Sequence, residues 1–218
     1  MGNSQGRDRS RQERQVGFPD GRPGAQRQGN GIDAGPRLDR FVGDRRRTRR
    51  QSRRTYLRLN TDIQQHAYIL KPGETEAPFA IKNAFAKANR LQDILTSQFK
   101  VGKTGNQILA DALAQAKKEN IEAVIYTHPL GFHGHAAGPT IGLWDQQGGV
   151  PGAGDFPMNY RTSYSIELNA ATEIPEWKKS IRIMLEEDGY FDENGFRYIG
   201  GRQKEIYSIP RANKNMSQ

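Results

Sequence analysis

Apolar residues along the chain follow two regimes that change at about Thr55. Residues 55–60 and 63–70 are dominated by Tyr, Leu, Ile and Thr, and Lys71, Pro72 and Gly73 end the second run. These runs predict two strands around Asp62. Ile81, Phe85, Ala88, Leu91 and Leu95 then recur at helical spacing, and Leu109, Leu113 and Ala116 do so again after Thr104, a residue suited to an N-cap. Residues 123–126 predict a short buried strand. Residues 128–157 are rich in Gly, Pro and His and predict a long loop, a kind of segment that usually carries function in a compact domain. Tyr164, Ile166 and Leu168 occupy alternate positions, as do Ile181, Ile183 and Leu185, which is the period of a strand. Asp192, Glu193, Asn194 and Gly195 read as a turn leading into two further short strands. The predicted order is a hairpin, two helices and an antiparallel sheet.

Charge divides the chain at the same place. Residues 1–54 hold fifteen arginines, no lysine and six acids, whereas the remaining 164 residues hold eighteen basic and eighteen acidic side chains. The whole net charge of +9 therefore belongs to the first segment. Its sizeable apolar residues are Met1, Val16, Phe18, Ile32, Leu38, Phe41 and Val42, too few to offset the entropy of ordering it. The run Arg45, Arg46, Arg47, Arg49, Arg50, Arg53 and Arg54 has the charge to follow phosphates or anionic lipid. It lacks interleaved aromatics, an amphipathic period and a recognition module, so no specific nucleic-acid partner is expected. Arginine without lysine, ending abruptly at a well-patterned strand, resembles GC-rich coding DNA read out of frame. The expected organisation is a disordered or out-of-frame segment over 1–54 and a folded domain over 55–218. The absence of cysteine excludes disulfides and thiolate metal ligands. No apolar run approaches the roughly 20 residues that span a bilayer, and the N-terminus lacks the apolar stretch of a secretory signal. The expectation is a soluble, cytoplasmic protein without a membrane partner.

Candidate chemistry sits on the predicted strands. Glu167 points opposite to Ile166 and Leu168, and Glu186 points opposite to Leu185, so both carboxylates can face one cleft. Asp62 lies between two predicted strands, and His133 and His135 lie in the Gly-rich loop. Three carboxylates with one imidazole suit a pair of divalent ions such as manganese, cobalt, iron or zinc. Each residue also has an ordinary reading: an acid on a polar strand face is commonly just solvated, and a Gly-His loop commonly turns for structural reasons. His66, His128 and Trp144 read as structural or substrate-pocket residues.

Longer stretches narrow these alternatives. Tyr56, Leu57, Arg58, Leu59, Asn60, Thr61 and Asp62, the loop of Gly134, His135, Ala136, Ala137 and Gly138, the Ser165, Ile166, Glu167 strand and the Leu185, Glu186, Glu187, Asp188 strand occur in a familiar order and rough spacing. The pattern resembles the pita-bread metallopeptidases, the aminopeptidase P, prolidase and methionine aminopeptidase kind, over about three quarters of the chain. Residues 127–138 and the run through Trp144, Asp145 and Met158 resemble bacterial Xaa-Pro aminopeptidase-like proteins. The resemblance implies an α+β, pita-bread (creatinase/aminopeptidase) fold, here incomplete, with a curved antiparallel sheet and helices on its outer face. It implies Asp62 as a bridging aspartate, His135 as the imidazole ligand, Glu167 as a carboxylate ligand and acid/base, and Glu186 as the bridging glutamate. The implied activity is cleavage of Xaa-Pro or other short peptides by a metal-bound hydroxide, and homodimerisation is left open.

Three departures from that family bear on activity. Eleven residues before Asp62, where the family carries an aspartate ligand, stands Gln51, followed by Ser52, Arg53 and Arg54. Seven residues after His135, where related peptidases carry a substrate-touching histidine, stands Gly142, and His133 is the candidate to take that role. Residues 1–54 show no counterpart of the family's first half-domain. The expectation is an impaired metallopeptidase that binds close to one divalent ion. The alternatives are a metal-free module binding a peptide or small amide, and a nucleic-acid-associated protein using the Arg segment.

Overall fold

The computed structural model describes residues 55–56, 59–132 and 134–210. The segment 1–54, including Gln51 and the Arg run, lies outside the described residues, as does His133.

Helix α1, Phe79–Ser97, starts directly after Pro78, whose φ of −56° suits a helix entry. It buries Ile81, Phe85, Ala88, Leu91 and Leu95, the face its sequence period predicts. Helix α2, Gly105–Lys118, is capped by Thr104: the hydroxyl accepts from the Gln107 amide at 3.2 Å, and the Gln107 side chain accepts from the Thr104 amide at 2.9 Å. Lys117 and Lys118 in its last turn complement the helix dipole.

The main sheet is antiparallel, with β4 (Glu122–Ile125), β6 (Thr162–Ile174), β7 (Lys179–Asp192) and β8 (Gly195–Tyr198) in that order, and β5 (His128–Pro129) also paired to β6. Leu168 pairs with Leu185 and Ala170 with Ile183, and these residues pack under α1. Glu167 pairs with Glu186 and Ser165 with Asp188, so these four share the opposite face. Glu187, paired with Ile166, falls on the helix side.

The opening of the described chain differs from the two predicted strands. β1 (Thr55–Tyr56) pairs with β2 (Leu59–Asn60), so the first run folds back on itself. The second run enters a ladder only at β3 (Ala67–Ile69), which pairs in parallel with β9 (Tyr207–Ile209). Residues 61–66 belong to no ladder because their backbone groups bond largely to side chains. No helix among the described residues is long and apolar enough to cross a membrane.

Candidate metal centre

Antiparallel register places Glu167 directly across from Glu186 on the face away from the helices. Asp62 reaches them from the extended segment 61–66. Its amide donates to both carboxylate oxygens of Asp188, at 3.1 and 3.3 Å, and its carbonyl accepts from the Ser165 hydroxyl at 3.4 Å. Two residues on, the Gln64 amide donates to the Glu186 carbonyl at 2.8 Å, and the Gln64 side-chain amide donates to Glu186 Oε2. Strand parity marks Ser165 and Asp188 as neighbours of the two glutamates, although neither is among the site residues expected from the sequence. Gln64 carries no such signal, since it acts from a segment without strand pairing.

The imidazole that joins these carboxylates is His128. It lies in β5 opposite Ser165, with Nε2 2.9 Å from Glu167 Oε1 and 4.0 Å from Asp62 Oδ2. One donor atom from each of Asp62, His128 and Glu167 lies within 4.8 Å of the others. On the far side of the ring, Nδ1 is 2.9 Å from the Pro129 carbonyl, which can only accept. That contact assigns the proton to Nδ1 and turns the Nε2 lone pair toward two carboxylates. Two acceptors that close need a cation between them or a second proton on the ring. A divalent ion fits the donor set, and the carbonyl-imidazole contact is the kind of outer support that fixes a ligating histidine.

His135 lies beside His128. Its exposed ring stacks on that of His128, with centroids 3.9 Å apart and planes 26° apart. The structure therefore brings Asp62, Glu167 and Glu186 together with His128, and lays His135 over the histidine that meets the carboxylates. Gly142 is also fixed by geometry: its φ is +73°, and a Cβ built there would meet the Ile125 carbonyl oxygen at 2.2 Å. No histidine fits that position.

Electrostatics follow from crowding acids in a buried place. Burial, contact with the Asp62 carboxyl and the charge of Glu167 push Glu186 well above the usual carboxylate range, with Gln64 opposing. Burial raises Asp188 to about 6, against the amide bond from Asp62. Burial disfavours the charged form of His128, yet its contacts with Glu167 and Pro129 and the charges of Glu167 and Asp62 hold it above its ordinary value. A cation in this cluster would stabilise the ionised carboxylates and displace protons from them.

Comparison with known proteins places the architecture. No family model matches the chain, and no curated protein matches it. Among solved structures it is similar to an X-Pro aminopeptidase from Thermotoga maritima, at TM-score 0.52 and 18% identity over 71% of this chain and 39% of that one. It is also similar to a Xaa-Pro dipeptidase from Bacillus anthracis, at TM-score 0.50 and 16% identity over 71% and 39%. The N-terminal domain of the FACT complex subunit SPT16 from Eremothecium gossypii gives TM-score 0.54 and 12% identity over 71% and 34%. The chain thus has the α+β pita-bread fold and spans well under half the length of these structures.

Proposed function

We propose that this chain is a metallopeptidase-like protein directed at Xaa-Pro or other short peptides, holding close to one divalent ion through Asp62, His128 and Glu167, with Glu186 beside them. The observation that carries the reading is the His128 ring: Nδ1 faces the Pro129 carbonyl while Nε2 faces Glu167 and Asp62. When bound, a divalent ion acidifies water and polarises a carbonyl. The chain's own residues supply the rest. Asp188 and Ser165 hold the backbone of Asp62, Ser165 also donates to Glu167 Oε1 at 3.4 Å, and Glu167 is the carboxylate placed to take and return a proton. Activity is impaired on this reading, because Gln51 stands where the family's first aspartate ligand is expected.

Dialysed protein titrated with Mn²⁺, Co²⁺ and Zn²⁺ by calorimetry tests it. The expected result is near one ion per chain, lost in Asp62→Asn, with very weak Xaa-Pro cleavage. No uptake of any of these ions would sink the reading.

One observation favours a second reading, a catalytically silent module that keeps a peptide or small-amide pocket. The backbone at Gly142 admits no side chain where related peptidases place a substrate-touching histidine. Binding of a Xaa-Pro peptide by protein that takes up no ion would favour it.

A further inference from the structure

The segment that delivers Asp62 is held from a distant part of the chain. Residues 61–66 form no ladder, yet His66 has both backbone groups bound by one side chain: its amide donates to Gln203 Oε1 at 2.7 Å, and its carbonyl accepts from Gln203 Nε2 at 2.7 Å. Gln203 thus meets His66 as the backbone of a neighbouring strand would, just before β3 pairs with β9. The glutamine is itself anchored. Its amide donates to Glu187 Oε1 at 2.9 Å, its carbonyl accepts from Asn89 Nδ2 at 3.2 Å, and its Nε2 also donates to the Glu205 carbonyl at 2.7 Å. Next to it, Arg202 pairs with Asp93 of α1 at 2.7 Å. Gln203 is buried and its polar atoms are engaged on every side. Glu187, the anchor, adjoins Glu186 in β7 but points to the helix side.

We infer that Gln203 is a positioning residue: its side-chain amide fixes the backbone four residues beyond Asp62, and so the place of the Asp62 carboxylate against Glu167 and Glu186. As a statement about an ion, this rests on the reading proposed above. As a statement about the backbone, it stands independently. Apart from this clip, Asp62 and Gln64 are held by Asp188, Ser165 and Glu186, groups that belong to the site or touch it, and His66 is also met by the Tyr207 amide, which donates to its carbonyl at 3.3 Å, and through its ring by the Met184 carbonyl. Gln203 fixes the segment from outside. An outer support of a ligand typically contributes roughly 10- to 100-fold in metal affinity.

The test compares wild type with Gln203→Ala and Gln203→Met, the second of which keeps side-chain volume while removing both bonds to His66. Amide hydrogen exchange at residues 62–66 is measured on ion-free protein, and Mn²⁺ affinity by calorimetry. The expected result is exchange at His66 faster by about tenfold or more and Mn²⁺ affinity lower by about 10- to 100-fold in both variants, with α1 exchange unchanged. Wild-type exchange and affinity in Gln203→Met would overturn the inference, because packing alone would then suffice. Faster exchange with unchanged affinity would overturn it as well. If wild type takes up no Mn²⁺, the metal reading falls, and the exchange measurement alone decides whether the clip fixes the Asp62 backbone. If Gln203→Ala does not fold, Gln203→Met carries both measurements.

Discussion

The β6–β7 ladder and the segment 127–147 both bring groups to the site, by different means. In the ladder, thirteen residue pairs between β6 and β7 fix every side chain by parity: Glu167 must face with Glu186, and Glu187 must face away. In the loop, outside the two-residue pairing of β5 with β6, position comes from single contacts. Thr127 and Ile141 form an isolated bridge, Ala136 donates to the Pro129 carbonyl, and the Gln147 side chain holds Ile125. A ladder turns alternation directly into geometry, whereas a loop records its geometry in contacts that no local period announces. Errors in either should therefore have different consequences.

Gly142 gives the largest expected effect. It occupies the left-handed region at φ +73°, and a methyl group added to its Cα would lie 3.0 Å from Leu109 Cδ1 and 2.2 Å from the Ile125 carbonyl oxygen. Gly142→Ala adds backbone strain and overpacking and should destabilise the protein by about 4 kcal/mol. Urea unfolding measures this, and a loss below about 1 kcal/mol would mean that the loop yields readily. Gly142→His should then fail to create a new site residue.

Glu187 sharpens the ladder side. It is 2% exposed among apolar residues of the helix face, and burial raises its carboxyl to about 7. The folded protein keeps that proton to higher pH than the unfolded chain, so stability falls as pH climbs from about 4.5 to about 7 and levels off above. Glu187→Gln removes this titration while keeping an acceptor for the Gln203 amide. Its stability relative to wild type should rise across that window by up to about 3 kcal/mol. A pH-independent difference in urea midpoints would show that Arg202 keeps the carboxylate ionised throughout.

The same contrast decides what the sequence made legible. The helix faces, the Thr104 cap, the 192–195 turn and the shared face of Glu167 and Glu186 all follow from periods of 3.6 or 2 and from cap chemistry. Asp62 is legible as a candidate because it interrupts apolar runs, but its delivery is not, since Gln64, Asp188 and Gln203 act over more than a hundred residues of sequence. The histidine of the site is hardest to read. His128 and His135 both lie in the long segment, and only the pairing of β5 with β6 sets His128 opposite Ser165 and into the carboxylates.

That leaves the two histidines as a direct test within the loop. His128→Ala removes the nitrogen that meets Glu167 and should lower Mn²⁺ or Zn²⁺ affinity by about 100-fold, as expected for a direct ligand relative to an outer support. His135→Ala removes an exposed ring stacked on His128 and should cost less than about tenfold. Calorimetric titration of both variants separates the roles. The reverse order would return the ligand role to His135, as the family resemblance implies, and would mean that the loop rearranges around an ion.

The smallest effect concerns Gln147, which does for β4 what another strand would do. Ile125 is the last residue of β4, and its outward backbone groups are both satisfied by this side chain: the amide donates to Gln147 Oε1 at 2.9 Å, and the carbonyl accepts from Gln147 Nε2 at 2.8 Å. The same Nε2 reaches the Leu143 carbonyl at 2.6 Å, so the loop is tied to the sheet edge through one amide. Gln147→Ala removes both partners from the Ile125 backbone, but Gln147 itself is half-buried, so water can take the place of its side chain and the loss falls below that of a fully buried pair. About 1 kcal/mol is expected, together with faster exchange at Ile125. Because His128 follows Ile125 by three residues but is placed by β6, the ion affinity should change little, unlike in His128→Ala. A loss of affinity as large as that of His128→Ala would show that the edge clip, and not the pairing of β5 with β6, sets the imidazole. In that case the loop and the ladder would be one mechanical unit.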